Sequence, residues 1–444
     1  MVRLILFDQP TATRRNFDPL ALNRPIFELR SGMTTLGEKV ERRFPACEVA
    51  YFVPPYTAGS LRQRTDRSVN QPASLAGDGL LLVNARAKSD SLPTATDGPS
   101  EVALDANGEV LYARIAERDL RRLSEAAAGP SRGIEDSAAA SDGWPNSDAA
   151  ATLLDGLLEA AKRLLPPAAK TPETWNYLWD LVLANPQQLT DDFAAARLSG
   201  IDGIVEEPFA IRGSKRDIFI GHGTIVHPMV VIDASRGPVF IDEGAEIQPF
   251  TRVEGPCYVG KNSILLGCKC REGNSIGPMC RVGGEIEESI VQGYSNKYHD
   301  GFLGHAYVGE WVNLGAMTTN SDLKNDYSSV AVSLDGKKRI NTGSTKVGSL
   351  IGDHTKTSIG TLLNTGAYIG AMTLLVANGG PLPKFLPSFT WYLDGRISEG
   401  FGKPRFYHTA RAAMARRGKT WTEIDEALWD AVYEMTAQQR EVAG

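Results

Sequence analysis

Histidine is scarce in this sequence, six in 444 residues, and two of the six, His299 and His305, fall close together. An imidazole titrates near neutral pH, so a histidine held beside a substrate can take a proton from an attacking group. Glu285, Glu287 and Glu288 lie just upstream, and a carboxylate on the second ring nitrogen would fix the tautomer and stabilise the imidazolium. The plainer reading makes His299 a surface-loop histidine and the glutamates a solvated charge run. Cys257, Cys268, Cys270 and Cys280 cluster nearby, which invites a zinc reading. Their spacing lacks paired C-x-x-C elements and no histidine lies among them. Small apolar residues filling repeat positions is the better account. With Cys47 the count is odd, so no disulfide framework is expected, and the chain reads as reduced and cytoplasmic.

These groups sit in a stretch with a short, fixed period. Aliphatic residues recur every sixth position at Ile220, Val226 and Ile232, then at Ile241, Ile247, Val253, Val259 and Leu265. Aliphatic-glycine pairs accompany them, among them Val259-Gly260, Ile276-Gly277, Val308-Gly309 and Ile351-Gly352. Such a period marks a solenoid: each unit makes one short strand and one corner, and three units close a triangular coil. The expectation is a left-handed parallel β-helix over 211–385. The register slips at 232–241 and breaks at 283–303 and 321–346, with Asp322–Asn341 the longest loop. The repeat should end beyond Pro381–Pro383, leaving a helical tail over 386–444 with helices at Ala410–Arg417 and Trp421–Val432.

Ahead of the repeat, Leu4–Phe7, Val49–Val53 and Leu80–Val83 read as buried strands and Met33–Phe44 as a helix. Strand, helix, strand implies a parallel α/β sheet, in a domain placed at 1–210. Residues 123–150, rich in Ala, Ser, Gly and Asp, read as a flexible insert. Helical patterns return at Ala151–Leu165 and Trp175–Leu183. The opening Met1–Asp8 is too short an apolar run for a signal peptide, and no run approaches the roughly 18 residues of a membrane span. Charge is mixed and slightly acidic, formally −6, with no basic block to suggest nucleic acid or a membrane surface as partner.

The run SNKYHDGFLGHA over Ser295–Ala306, followed by VGEWVNLGA over Val308–Ala316, resembles the bifunctional N-acetylglucosamine-1-phosphate uridylyltransferase / glucosamine-1-phosphate acetyltransferase family. The resemblance covers roughly 215–380. It implies that His299 is the catalytic base, Glu285 the glutamate that orients it, and Asn313 a sugar ligand. It further implies that Phe302 touches the substrate, and that Ala316, Thr318 and Thr361 line the site of acetyl-CoA, the cosubstrate. Arg271 is read as a cation for the substrate, against the plainer reading of a solvated surface arginine. The sequence departs from the pattern in three places. Glu287 or Glu288 stands where the family has a phosphate-binding lysine, Phe302 replaces a tyrosine, and Met317 replaces a glycine.

The amino-terminal region is similar to a divergent sugar nucleotidyltransferase-like branch, through Asp18–Pro25 (DPLALNRP), Leu29-Arg30, Gly32 and Glu38-Lys39. That likeness implies an α/β nucleotidyltransferase-like fold, with Arg24, Arg30, Gly32, Lys39 and Asn84 near a sugar nucleotide. The glycine-rich phosphate loop is absent, with Pro10–Arg15 in its place. Val83–Arg86 stands where active members carry a magnesium-ligating Gly-Asp. Magnesium is expected only if that site works. The expected function is acetyl transfer to an amino sugar, sugar phosphate or nucleotide sugar by a homotrimer. The alternatives are a catalytically decayed sugar-nucleotide-binding or regulatory protein, and a trimeric metalloenzyme of the γ-carbonic-anhydrase type using His299 and His305.

Overall fold

The computed structural model describes residues 2–77, 79–128 and 147–443. Its contacts separate two units. One comprises Met1–Arg14, Asn23–Glu28 and Thr35–Asn176; the other comprises Arg15–Leu22, Leu29–Thr34 and Tyr177–Gly444. The break at 176/177 replaces the expected one at 210. The reason is the helix Leu178–Ala196, whose apolar side packs with the β-helix.

In the first unit, a six-stranded sheet runs in the order Ser68–Val69, Glu48–Phe52, Val2–Phe7, Gly79–Asn84, Val110–Ile115, Glu101–Leu104. The first four strands are parallel, and Val110–Ile115 runs antiparallel to both of its neighbours, Gly79–Asn84 and Glu101–Leu104. Val2–Phe7 and Gly79–Asn84 are near-continuous apolar runs because both faces of a parallel sheet are covered. The expected helix starts at Leu36, not Met33, because Thr35 caps it: the Thr35 hydroxyl accepts from the Glu38 backbone N–H while Glu38 accepts from that of Thr35. The flexible insert expected at 123–150 is corrected at both edges, since helices occupy Glu117–Ala128 and Ser147–Leu164. Leu120, Leu123, Leu154, Leu157 and Leu158 join one core with Ile5, Phe7, Leu80 and Leu82. The remainder, 129–146, lies outside the described residues.

The second unit is a left-handed parallel β-helix. Along its ten-stranded face one column of aliphatics stacks in register: Ile220, Ile241, Val259, Ile276, Val291, Val308, Ile351, Ile369 and Leu386. Each is 4% exposed or less, so each contributes on the order of 1.5–3 kcal/mol of burial. On the outside of the same face Phe219, Phe240 and Tyr258 stack one above another. They are aromatic because the Leu178–Ala196 helix covers them with Leu189, Phe193 and Ala196. Coiling begins at Gly200–Ile201 and runs past the expected end, since Phe385–Leu386 and Trp391–Leu393 still pair in parallel with the preceding coil.

The irregularities have local causes. Ile264–Cys270 and Arg281–Glu287 are seven-residue strands that run through what would be a corner. Their pairing shifts register between Leu266 and Lys269, and Gly284 takes φ +67° there. The 321–346 insertion carries an antiparallel hairpin, Ala331–Ser333 with Arg339–Asn341, and Val308 pairs with Ile351 across it. At one set of corners, large residues adopt left-handed backbone: Met279, Tyr294, Trp311, His354, Met372 and Phe389. The Tyr294 and Trp311 rings stack at 4.5 Å. Tail helices Lys403–Ala415 and Glu423–Met435 cover this column, placing Phe406 and Trp429 against Phe389 and Trp429 against His354.

Candidate functional site

One turn of the β-helix has a hollow on either side of it. Tyr298 and His299 line the larger, about 770 Å³, together with Arg281, Asn296, Asn313, Ala316 and Arg416. Asp300, Gly301 and Phe302 line the smaller, about 270 Å³, with Lys269 and Glu285. The turn is pinned from within by Lys297. Its buried ammonium donates to the carbonyls of Gly283 and His299, each at 2.9 Å. Burial pushes the Lys297 pKa down to about 8, against the opposing pull of Asp300 and Glu285. The His299 ring is exposed and meets the Tyr298 ring at 5.0 Å. Asn313 is held by a relay in which Arg417 donates to Asn296 Oδ1 at 2.7 Å and Asn296 donates to Asn313 Oδ1 at 3.2 Å.

His299, Asn313 and Ala316 therefore come together as the motif implied. Other expected residues do not. Glu285 faces Arg271 at 3.7 Å and Lys269 at 3.9 Å and makes no hydrogen bond to His299 among the described residues. The bulge at Gly267-Cys268, opposite Gly284, and two basic neighbours turn the carboxylate along the coil face, into the other hollow. Arg271 is engaged by Glu287 at 2.6 Å. Phe302 lies beside Glu285 in the coil ladder, away from Asn313. Thr318 and Thr361 are buried in the prism. Their hydroxyls bond Thr357 at 2.8 Å and the Ser358 carbonyl at 2.9 Å, so neither side chain reaches the hollow.

His305 is enclosed, with Nδ1 2.8 Å from Asp322 and Nε2 3.2 Å from Glu288. Burial opposes its charge, but the two carboxylates more than reverse this and raise the pKa to about 9. A doubly paired imidazolium has no lone pair to give a metal, so the His299/His305 zinc arrangement does not fit. The four clustered cysteines fill the prism core, with the Cys257 and Cys270 sulfurs 3.6 Å apart.

The residues expected around a nucleotide divide between the units, Arg24, Lys39 and Asn84 in the first, Arg30 and Gly32 in the second. Arg24 and Lys39 are buried. Asn84 donates to the Val110 carbonyl at 3.1 Å and accepts from the Arg86 N–H at 3.0 Å. Arg86 is clamped by Asp105 at 2.9 Å and Glu109 at 2.6 Å. A paired guanidinium thus fills the stretch where the resemblance leads one to expect a magnesium ligand, and a cation there does not fit a second cation. Arg14, in the stretch that replaces the phosphate loop, is buried on Asp8 at 3.0 Å. Arg30 donates its backbone N–H to the Tyr307 hydroxyl at 2.8 Å and lies over the Tyr258 ring at 5.4 Å. Gly32 adopts φ +78°, and an added Cβ would meet Asp192 at 2.4 Å, so it serves close packing on the Leu178–Ala196 helix.

Sequence reasoning missed Arg281, Arg416 and the Arg417–Asn296 relay. The Arg416-Arg417 doublet ending the first tail helix was the available signal.

Comparison with known proteins bears on both units. Residues 4–199 match a family model described as sugar nucleotidyl transferase; the match runs through the Leu178–Ala196 helix. A bifunctional sugar-1-phosphate nucleotidylyltransferase/acetyltransferase of Sulfurisphaera tokodaii is 36% identical over 148 residues, 31% of this chain and 34% of that one. The bifunctional protein GlmU of Thermotoga petrophila is 27% identical over 181 residues, 36% and 37% of the two chains. The chain spans about a third of the length of these curated relatives. Among solved structures, a UDP-N-acetylglucosamine acyltransferase aligns at 15% identity and a TM-score of 0.29, covering 49% of this chain and 78% of that one.

Proposed function

We propose that this chain is a transferase of sugar-nucleotide metabolism that moves an acetyl group from acetyl-CoA to the amine of an amino sugar, its phosphate or its nucleotide derivative. The observation that carries the reading is the meeting of His299, Asn313 and Ala316 around one open hollow. In the reaction the acceptor nitrogen attacks the thioester carbonyl while His299 takes the amine proton. The tetrahedral intermediate then collapses, the C–S bond breaks, and the thiolate recovers a proton from the imidazolium. Asn313, oriented through Asn296, holds acceptor hydroxyls. The turn that carries His299 is fixed by Lys297, and Glu285 has no part in setting the tautomer. The nucleotidyl step of the first unit is weak or absent in this reading, since Arg14 and Arg86 are paired within the stretches where the resemblance leads one to expect a phosphate loop and a magnesium ligand.

A homotrimer completes this reading. Phe250, Ile359 and Met317, exposed at 77%, 74% and 57%, are apolar surface of the kind that a second copy covers. Light scattering that returned a monomer at micromolar concentration would remove it. The activity is tested by following acetyl-CoA consumption against a panel of amino sugars and their phosphates. No turnover with any acceptor would overturn the transferase reading.

A further inference from the structure

The larger hollow has a charge pattern that base catalysis does not call for. Arg281 lines it from the β-helix and Arg416 from the end of the Lys403–Ala415 helix. Arg417 reaches in to bond Asn296. Among the described residues, none of these three guanidiniums pairs with a carboxylate, and no Asp or Glu lines the hollow. The chain elsewhere is net acidic and pairs many of its arginines, Arg86, Arg114 and Arg212 among them. The three are close enough to repel one another: burial, then Arg281 and Arg416, hold the Arg417 pKa below its ordinary value. Like charges held together without a counterion raise the energy of the empty site and lower that of a polyanion bound there.

We propose that Arg281, Arg416 and Arg417 form a seat for a diphosphate group on a ligand of this hollow, so that the carboxy-terminal tail is part of the site. Planar guanidiniums bind phosphoryl oxygens in pairs, and three of them match the charge of a diphosphate better than that of a single phosphate. Two classes of ligand bring that group beside a thioester reaction: coenzyme A thioesters, and acceptors that are nucleoside diphosphate sugars. The proposal rests on the reading that this hollow takes the transfer substrates.

The test is calorimetric binding of coenzyme A and of a uridine diphosphate sugar to the full chain and to its Arg281→Gln and Arg416→Gln variants. Arg417 stays in place to preserve its bond to Asn296. The expected result is a loss of about tenfold or more in affinity for at least one ligand in both variants, with melting unchanged. Loss for coenzyme A alone assigns the diphosphate to the donor; loss for the sugar alone assigns it to the acceptor. Should Arg281→Gln lower the melting temperature, the exposed Arg416→Gln decides, through a shallower salt dependence of binding than wild type. Unchanged affinity for both ligands in Arg416→Gln, or no binding of either by the wild type, overturns the seat. Binding is read without turnover, so the two readings fail separately. Arginine-dependent binding without acetyl transfer leaves the seat and removes the transferase. Transfer with arginine-independent binding does the reverse.

Discussion

Replacing His305 by glutamine isolates the charge of an ion cluster buried in the β-helix. The ring is 3% exposed, bonded to Asp322 on the root of the 321–346 insertion and to Glu288 on the coil. Its pKa stands at about 9 against an ordinary 6.5, a difference worth roughly 3 kcal/mol of stability. Because the folded value is the higher, that stability is fully present below pH 6.5 and is lost as pH rises through 9. The carboxyls of Glu288 and Asp322 lie below their usual range: the His305 hydrogen bond lowers Glu288, and at Asp322 burial, which raises, is outweighed by His305 and Lys346. Their share is present above the usual carboxylate range and is lost as pH falls below it, through the depressed folded values. Lys346 acts on both carboxylates, so some attraction survives the substitution. Scanning calorimetry of wild type and His305→Gln from pH 6 to 10 should show wild type ahead by about 3 kcal/mol at pH 6.5, the gap narrowing steadily above pH 8. A gap independent of pH would mean that the imidazole is neutral in the fold and that the cluster is held by packing alone.

His299→Ala should cut acetyl transfer about 10²–10⁴-fold and leave the melting temperature unchanged, since the ring is exposed; stopped assays with thiol detection check this. Lys297→Met should lower kcat about tenfold by freeing the His299 turn, at the cost of hydrogen bonds worth about 1–3 kcal/mol, measured by kinetics and urea unfolding together. Gly348→Ala would place a Cβ 2.0 Å from the Gly304 carbonyl oxygen and should destabilise the β-helix by about 2 kcal/mol or more, read from denaturant midpoints.

The β-helix was legible because each inward position demands an aliphatic residue, and residues from Ile220 to Ile232 and from Ile241 to Leu265 satisfy the period in sequence order. Its ends were not. Ile201 and Ile204 are 45% and 60% exposed, as befits an end coil, and too short a run carries no period. Met279, Trp311 and Phe389 hid the corners they make, because glycine is the residue that the left-handed backbone favours; tail helices covering the corner compensate its strain. At the site, His299, Asn313 and Ala316 lie within 18 residues of one another, and Asn296 bridges to Asn313 on the next coil, so the local motif carried their placement. Glu285 failed because spacing along a chain does not set which way a side chain points past two glycines. Arg416 lies more than a hundred residues away, and only the folded tail brings it to the hollow.

The cysteines inside the prism also make the molecule its own probe. Cys257, Cys268, Cys270 and Cys280 are 2% exposed or less, and burial pushes the Cys280 thiol up to about 12. A thiol in that state meets an alkylating reagent only when the coils around it part, so the rate of labelling reports how often they part. Cys47, half-buried in the other unit, gives the reference rate within the same tube. Mass spectrometry of labelled peptides would then give an opening free energy coil by coil between 257 and 280, without any engineered label. In a solenoid, where each coil leans only on its neighbours, those values would show whether separation starts at an end or in the middle.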